Sequence, residues 1–311
     1  MASARLSRVA ARAALLLVVL LVVLLLLPRE SARPTGEWLA RARLQPKRIT
    51  LGALEVRYVR AGHGAPVILI HGLASSIYSW ADVMGPLAEQ FDVIALDLPG
   101  FGESTKPSNL AFADLPKALL QLMDGLGLAR ASLVGNSLGG AIALLVAEQS
   151  PARVDRVVVL DSAGFGMKTS ERPFMIRVIG SPLAGTFADR VPVKRLLTEF
   201  TLRHLIHDHA QVSEERINEY VTPFLPPGAL RSAQSLLASP VDEQFAARLS
   251  GIAAPTLVLW GRYDPWLPES HADRFVAAIK GSRKVVLETG HMPQEELPKD
   301  GARLIKEHLA S

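Results

Sequence analysis

From residue 47 onward, short apolar runs alternate with longer stretches of helical spacing. Residues 49–59 read as two strands around Gly52. Further runs occupy 67–70, 92–96, 131–134, 157–160, 256–260 and 284–287. They are β-branched and continuous rather than alternating, which suits parallel strands covered on both faces. Helical spacing predicts helices over 79–90, 110–126, 138–149, 269–279 and 294–309. Strand and helix therefore alternate, as in an α/β fold with a mostly parallel sheet. Residues 162–250 break this rhythm. They contain no convincing strand, and Pro173, Pro182, Pro192, Pro223, Pro226 and Pro227 punctuate apolar helical pieces. We read them as a helical insertion that starts just past a strand's C-terminal end. In open α/β sheets that edge is where ligands bind.

A different pattern opens the chain. Ala13 to Leu27 is an unbroken apolar run of 15 residues, preceded by Arg5, Arg8 and Arg12 and ended by Pro28 and Arg29. As a helix it reaches roughly 22 Å, short of a ~30 Å hydrocarbon core. Val9, Ala10 and Ala11 lengthen it if Arg12 snorkels to the interface. A cleaved secretory signal would end in a small-x-small site, which Pro28-Arg29-Glu30-Ser31-Ala32 does not supply well. The run is accordingly expected to be an uncleaved single-pass membrane anchor (residues 1–27, membrane contact through 13–27). Secretion or periplasmic release after cleavage is the alternative. Arg33, Arg41, Arg43 and Lys47 follow the run, so charge does not decide orientation. A polar linker is expected over 28–46 and the globular domain over 47–311.

Composition narrows the chemistry. Apolar residues are 49% of 311 and charged residues 21%, enough for a large core. The net charge of +4 is not gathered into a long basic run, and no zinc-finger, KH or RRM pattern is present, which argues against nucleic acid. The absence of cysteine excludes disulfides, thiolate catalysis and Cys-based metal sites.

Gly135-Asn136-Ser137-Leu138-Gly139-Gly140 fits G-x-S-x-G between a predicted strand and a predicted helix. Such a sharp turn needs small neighbours. It exposes the serine hydroxyl and aims the Leu138 N–H and the positive helix end at developing negative charge. A serine hydroxyl is a weak nucleophile and needs a base and a group to orient that base. Asp264 follows one predicted strand and His291 the next, in the chain order expected for this elbow. Asp161 also follows a strand and is a rival to Asp264. A second oxyanion donor is expected from the loop after the third strand, where His71-Gly72-Leu73 offers the Leu73 N–H. His71 itself reads as a structural hydrogen bonder. His204, His207, Asp208 and His209 cluster in the insertion, where a polar helix end is the plainer reading than a metal site.

These pieces, with Asp97-Leu98-Pro99-Gly100-Phe101-Gly102-Glu103-Ser104, resemble the α/β-hydrolase family, in the branch with a helical cap after the sixth strand. The resemblance covers residues 47–311. It implies an eight-stranded, mostly parallel sheet flanked by helices, with residues 162–250 as the cap. It also implies a Ser137 nucleophile, an Asp264 acid, a His291 base and Leu73 and Leu138 as oxyanion donors, with no cofactor and no metal. Asp97 to Ser104 would be a structural turn and the apolar cap would select substrate. Ser137 argues against the epoxide hydrolases and dehalogenases of this fold, which use Asp. Leu73-Ala74-Ser75-Ser76 and Met292 stand where C–C bond hydrolases usually carry a Gly-rich loop and a Trp. The expected reaction is hydrolysis of an apolar or lipid-derived ester. C–C bond cleavage, acyl transfer and non-catalytic ligand binding are the alternatives.

Overall fold

The computed structural model describes residues 36–311 apart from 166–172, 182–193, 227 and 240–243, together with Leu15, Val18, Val19, Val22 and Val23. Eight strands form one sheet: β1 (Lys47–Leu51), β2 (Leu54–Ala61), β3 (Ala65–Ile70), β4 (Phe91–Leu96), β5 (Ala131–Asn136), β6 (Val154–Leu160), β7 (Thr256–Gly261) and β8 (Arg283–Leu287). Their spatial order is β1-β2-β4-β3-β5-β6-β7-β8. β2 runs antiparallel to β1 and β4, and the remaining neighbours are parallel.

The continuous apolar runs are explained by two cores, one on each face of the sheet. In β5, Leu133 joins one core and its neighbour Val134 the other. Helices Asp114–Gly125, Leu138–Gln149 and Ser270–Ala278 cover the first face through residues such as Leu119, Ile142 and Phe275. Helices Ala81–Ala88 and Pro298–Ala310 cover the second through Val83, Leu87 and Ile305. Each fully buried Leu, Ile or Phe contributes about 1.5–3 kcal/mol, so the two layers fix the strand ends firmly. Helix Leu138–Gln149 is buried from Gly139 through Ala147, and behind the central strand it has almost no polar face.

The helix expected over 294–309 is two helices, Pro293–Glu296 and Pro298–Ala310. Leu297 between them has φ −128 and ψ 63. Pro298 forces this, because the residue before a proline is crowded out of the helical region. Between β6 and β7 the described residues form helices Phe174–Ile179, Lys194–Leu205, Glu214–Val221, Ala229–Ala238 and Phe245–Arg248, with no strand among them.

Two expectations about the first 46 residues need revision. Glu37–Arg41 is a short helix inside the expected linker, and Trp38, Leu39 and Leu44 are buried in the second core. The ring of Trp38 packs edge-on against Tyr78 at 5.7 Å. The expected single-pass anchor is corrected: among the described residues no helix is long and apolar enough to cross a membrane. Within 13–27 only Leu15, Val18, Val19, Val22 and Val23 are described, all helical and exposed, and the rest of that run lies outside the described residues. The physical reason was already in the length, since 15 residues reach roughly 22 Å against a ~30 Å core.

Candidate active site

The C-terminal ends of β3, β5, β6, β7 and β8 bring the candidate residues together. Ser137 sits between β5 and helix Leu138–Gln149 with φ 54 and ψ −113, a positive φ that is rare for a residue with a side chain. Such strain costs on the order of 1–3 kcal/mol and persists only where the surroundings enforce it. Here the Ser137 N–H donates to Leu160 O at 2.9 Å, and the Ser137 carbonyl accepts from Gly140, Ala141 and Ala163 N–H. Gly139 is required because a Cβ there would run into the Ile70 carbonyl at the end of β3. Leu138 is the first residue of its helix, so its N–H has no carbonyl one turn back to bond.

The loop after β3 lies against this elbow. A Cβ on Gly72 would fall 3.2 Å from Ser137 Cβ, which puts the strand-end loop carrying Leu73 beside the hydroxyl-bearing residue. His71 holds that loop. Its Nε2 accepts the Leu98 N–H at 3.0 Å, so Nδ1 carries the proton and donates to Gly72 O at 2.8 Å. Burial pushes the His71 pKa down, which suits a neutral ring with both nitrogens engaged. Asp97, at the end of β4, accepts the Ile77 and Glu103 N–H groups at 2.8 Å each, and Ser104 Oγ donates to the Asp97 carbonyl at 2.7 Å.

His291 is 3% exposed and is tied down on several sides. Its Nδ1 lies 2.6 Å from Asp264 Oδ2. Its N–H donates to Leu205 O at 2.8 Å, and its carbonyl accepts Asn136 Nδ2 at 3.1 Å. The Trp266 ring is tilted against it at 5.5 Å. Asp264 Oδ1 accepts the Trp266 and Leu267 N–H groups at 2.7 and 3.0 Å. Burial opposes ionisation of Asp264, yet His291 and these two N–H groups hold its pKa below the ordinary Asp range. An ionised Asp264 makes Nδ1 the protonated nitrogen of His291 and leaves Nε2 as a base.

Comparison with known proteins gives the family. The model of the alpha/beta hydrolase fold family matches residues 65–298. The chain belongs to the α/β hydrolases. An uncharacterized hydrolase of Bacillus subtilis, YugF, is 31% identical over 247 residues, 78% of this chain and 88% of that protein. A 2-hydroxy-6-oxo-2,4-heptadienoate hydrolase of Pseudomonas putida is 28% identical over 275 residues, 85% and 95% respectively. Among solved structures, a bacterial membrane phospholipase A superposes with a TM-score of 0.75 at 25% identity, covering 88% of each chain.

In this α/β hydrolase the helical insertion reaches the site through contacts no local motif announces. On helix Glu214–Val221, Arg216 Nε lies 3.3 Å from Glu295 Oε2, and both side chains are buried. Tyr220 donates a short hydrogen bond to Glu295, its hydroxyl lies 3.4 Å from Met292 Sδ, and Ser75 Oγ donates to that hydroxyl at 3.4 Å. Glu296 accepts the Gly290 N–H and the His207 N–H, strapping the His291 loop to the insertion. The His207 ring stacks on Tyr263 at 3.9 Å, and Asp208 caps the turn His209–Gln211. Asn136 occupies the variable position of the G-x-S-x-G pattern, and only its two hydrogen bonds show what it does.

Proposed function

We propose that this chain is a serine hydrolase of carboxylic esters, with Ser137 as nucleophile, His291 as base and Asp264 as the orienting acid. The 2.6 Å contact between His291 Nδ1 and Asp264 Oδ2 carries this reading, because it leaves Nε2 free to work as a base beside the strained elbow. His291 takes the hydroxyl proton as Ser137 attacks the ester carbonyl. The Leu73 and Leu138 N–H groups bind the oxyanion. His291 then protonates the leaving alcohol and activates the water that releases the acid. The helical insertion, residues 162–250, is the cap that selects substrate. Trp266, Leu73 and Met292 near the reacting groups suit an apolar acyl or alkyl group. The likeness to a phospholipase points the same way.

The test is a panel of 4-nitrophenyl esters from acetate to palmitate, with fluorophosphonate labelling of the purified chain. S137A is expected to lose about 10⁴-fold or more of kcat and all labelling. Ester turnover that survives S137A sinks the reading. The relative from Pseudomonas putida supports a second reading, C–C bond hydrolysis at the same three residues. A vinylogous 1,5-diketone acid turned over faster than every ester would establish it. Added alcohol appearing as a new ester product would assign acyl transfer instead.

A further inference from the structure

Asp161 stands one residue past β6 and is fully buried. Its φ is 43, so the backbone is held in the left-handed region for a residue with a side chain. One carboxyl oxygen, Oδ1, accepts the Gly261 N–H at 2.9 Å. The other, Oδ2, is buried with no donor facing it. Ligand atoms of Asp161, Asp264 and His291 all lie within 4.8 Å of one another. Two buried carboxylates that close disfavour each other's ionisation, so one of them holds a proton more readily. The two differ in their donors. Asp264 receives hydrogen bonds from His291 and from the Trp266 and Leu267 N–H groups. Asp161 receives one.

We propose that Asp161 is a positioning residue that carries a proton and donates it in a hydrogen bond to Asp264, fixing the carboxylate that orients His291. The orphaned Oδ2 is then explained: it needs no donor because it is one. Burial, and then the charge of Asp264, push the Asp161 pKa well above the ordinary Asp range. Glu296 adds to this, His291 is the cation-forming group within the cluster, and His271, beside Arg274, also feels the Asp264 charge. Asp161 is thus a partner of Asp264 and not its rival.

The proposal rests on the Ser137–His291–Asp264 reading, and the experiment separates the two. The purified full chain is assayed with 4-nitrophenyl butyrate across pH, as wild type, D161A, D161N and D264N. D161A removes the donor and is expected to lower kcat about 10-fold or more with KM little changed. D161N keeps a donor and is expected to recover most of that loss. In the wild type, activity falls on the alkaline side as Asp161 ionises against Asp264. In D161N that fall is absent, because an amide has no proton to lose there. Infrared difference spectra of wild type against D161N at neutral pH should show the carbonyl band of a protonated carboxylic acid. That band needs no substrate and no turnover. An absent band, an unchanged alkaline fall in D161N, or a D161N as impaired as D264N would each overturn the proposal. Activity surviving S137A would instead overturn the triad reading, while the infrared band still reports on Asp161.

Discussion

At the scale of single residues, the site is a set of side chains whose freedom has been removed. Asn136 illustrates how. Its Nδ2 donates to Leu160 O and His291 O at 3.1 Å each, so one amide clamps the Ser137 turn, the end of β6 and the His291 loop. N136A should strand the buried His291 carbonyl, while Leu160 O keeps the Ser137 N–H, costing about 1–3 kcal/mol in urea unfolding. It should also lower kcat on the order of 10- to 100-fold through misplacement of His291, with little change in KM. Retained kcat would show that His291 is held well enough by Asp264 and Leu205 alone. The placement of Ser137, Asp264 and His291 just past strand ends was legible in the sequence, because each follows a predicted strand and the elbow has a local pattern. The clamp made by Asn136 was not announced by any local pattern. The pairing of Asp161 with Asp264 was not legible, since it depends on two loops whose separation in sequence carries no periodic signal.

At the scale of elements, the sheet could be read from apolar runs because parallel strands between two helical layers are apolar on both faces. Most helices on the two faces were legible through their 3.6-residue period, whereas Leu138–Gln149 is apolar nearly all round. What failed was local. The break at Leu297 follows from Pro298, which the apolar spacing of 294–309 overrode. The short helix Glu37–Arg41 was hidden because five residues hold too little periodicity to register, yet Trp38 anchors it in the core. The docking of helix Glu214–Val221 was also invisible, because Arg216 and Tyr220 meet Glu295 across a separation of about a quarter of the chain. A buried ion pair resists loss of one member more than loss of both. E295A leaves the Arg216 charge buried without its carboxylate and should cost about 3–5 kcal/mol, read as a lower urea midpoint. E295Q, which keeps an acceptor for Tyr220, should cost less. Equal losses would show that the ion pair itself contributes little.

At the scale of the whole molecule, buried carboxyls set the pH response. Burial raises the native pKa of Asp161, Glu219 and Glu296 above ordinary values of 3.8, 4.5 and 4.5. For such groups the unfolded chain releases its proton first as pH rises. Their contribution is therefore whole below the ordinary value and is lost as pH climbs through the native one. Asp264 behaves oppositely: its pKa is lowered, so its contribution is present above 3.8 and lost as pH falls through the native value. In urea unfolding at a series of pH values these carboxyls should contribute a decline in stability from weakly acid toward neutral pH, opposed by the rise from His71, His271 and His308, whose pKa values burial lowers. E296Q should flatten that slope, and an unchanged slope would remove Glu296 from the account. A last consequence concerns how such a protein could change its substrate over generations. The His291 loop hangs from the insertion by Leu205 O and by the Glu296 bridge to His207. The insertion is thus not an interchangeable cassette. A recombinant that imports another relative's insertion inherits a working base only if the donor also brings a carbonyl and an N–H to those two places, so lineages should trade the outer helices more freely than the stretch from Leu205 to His207.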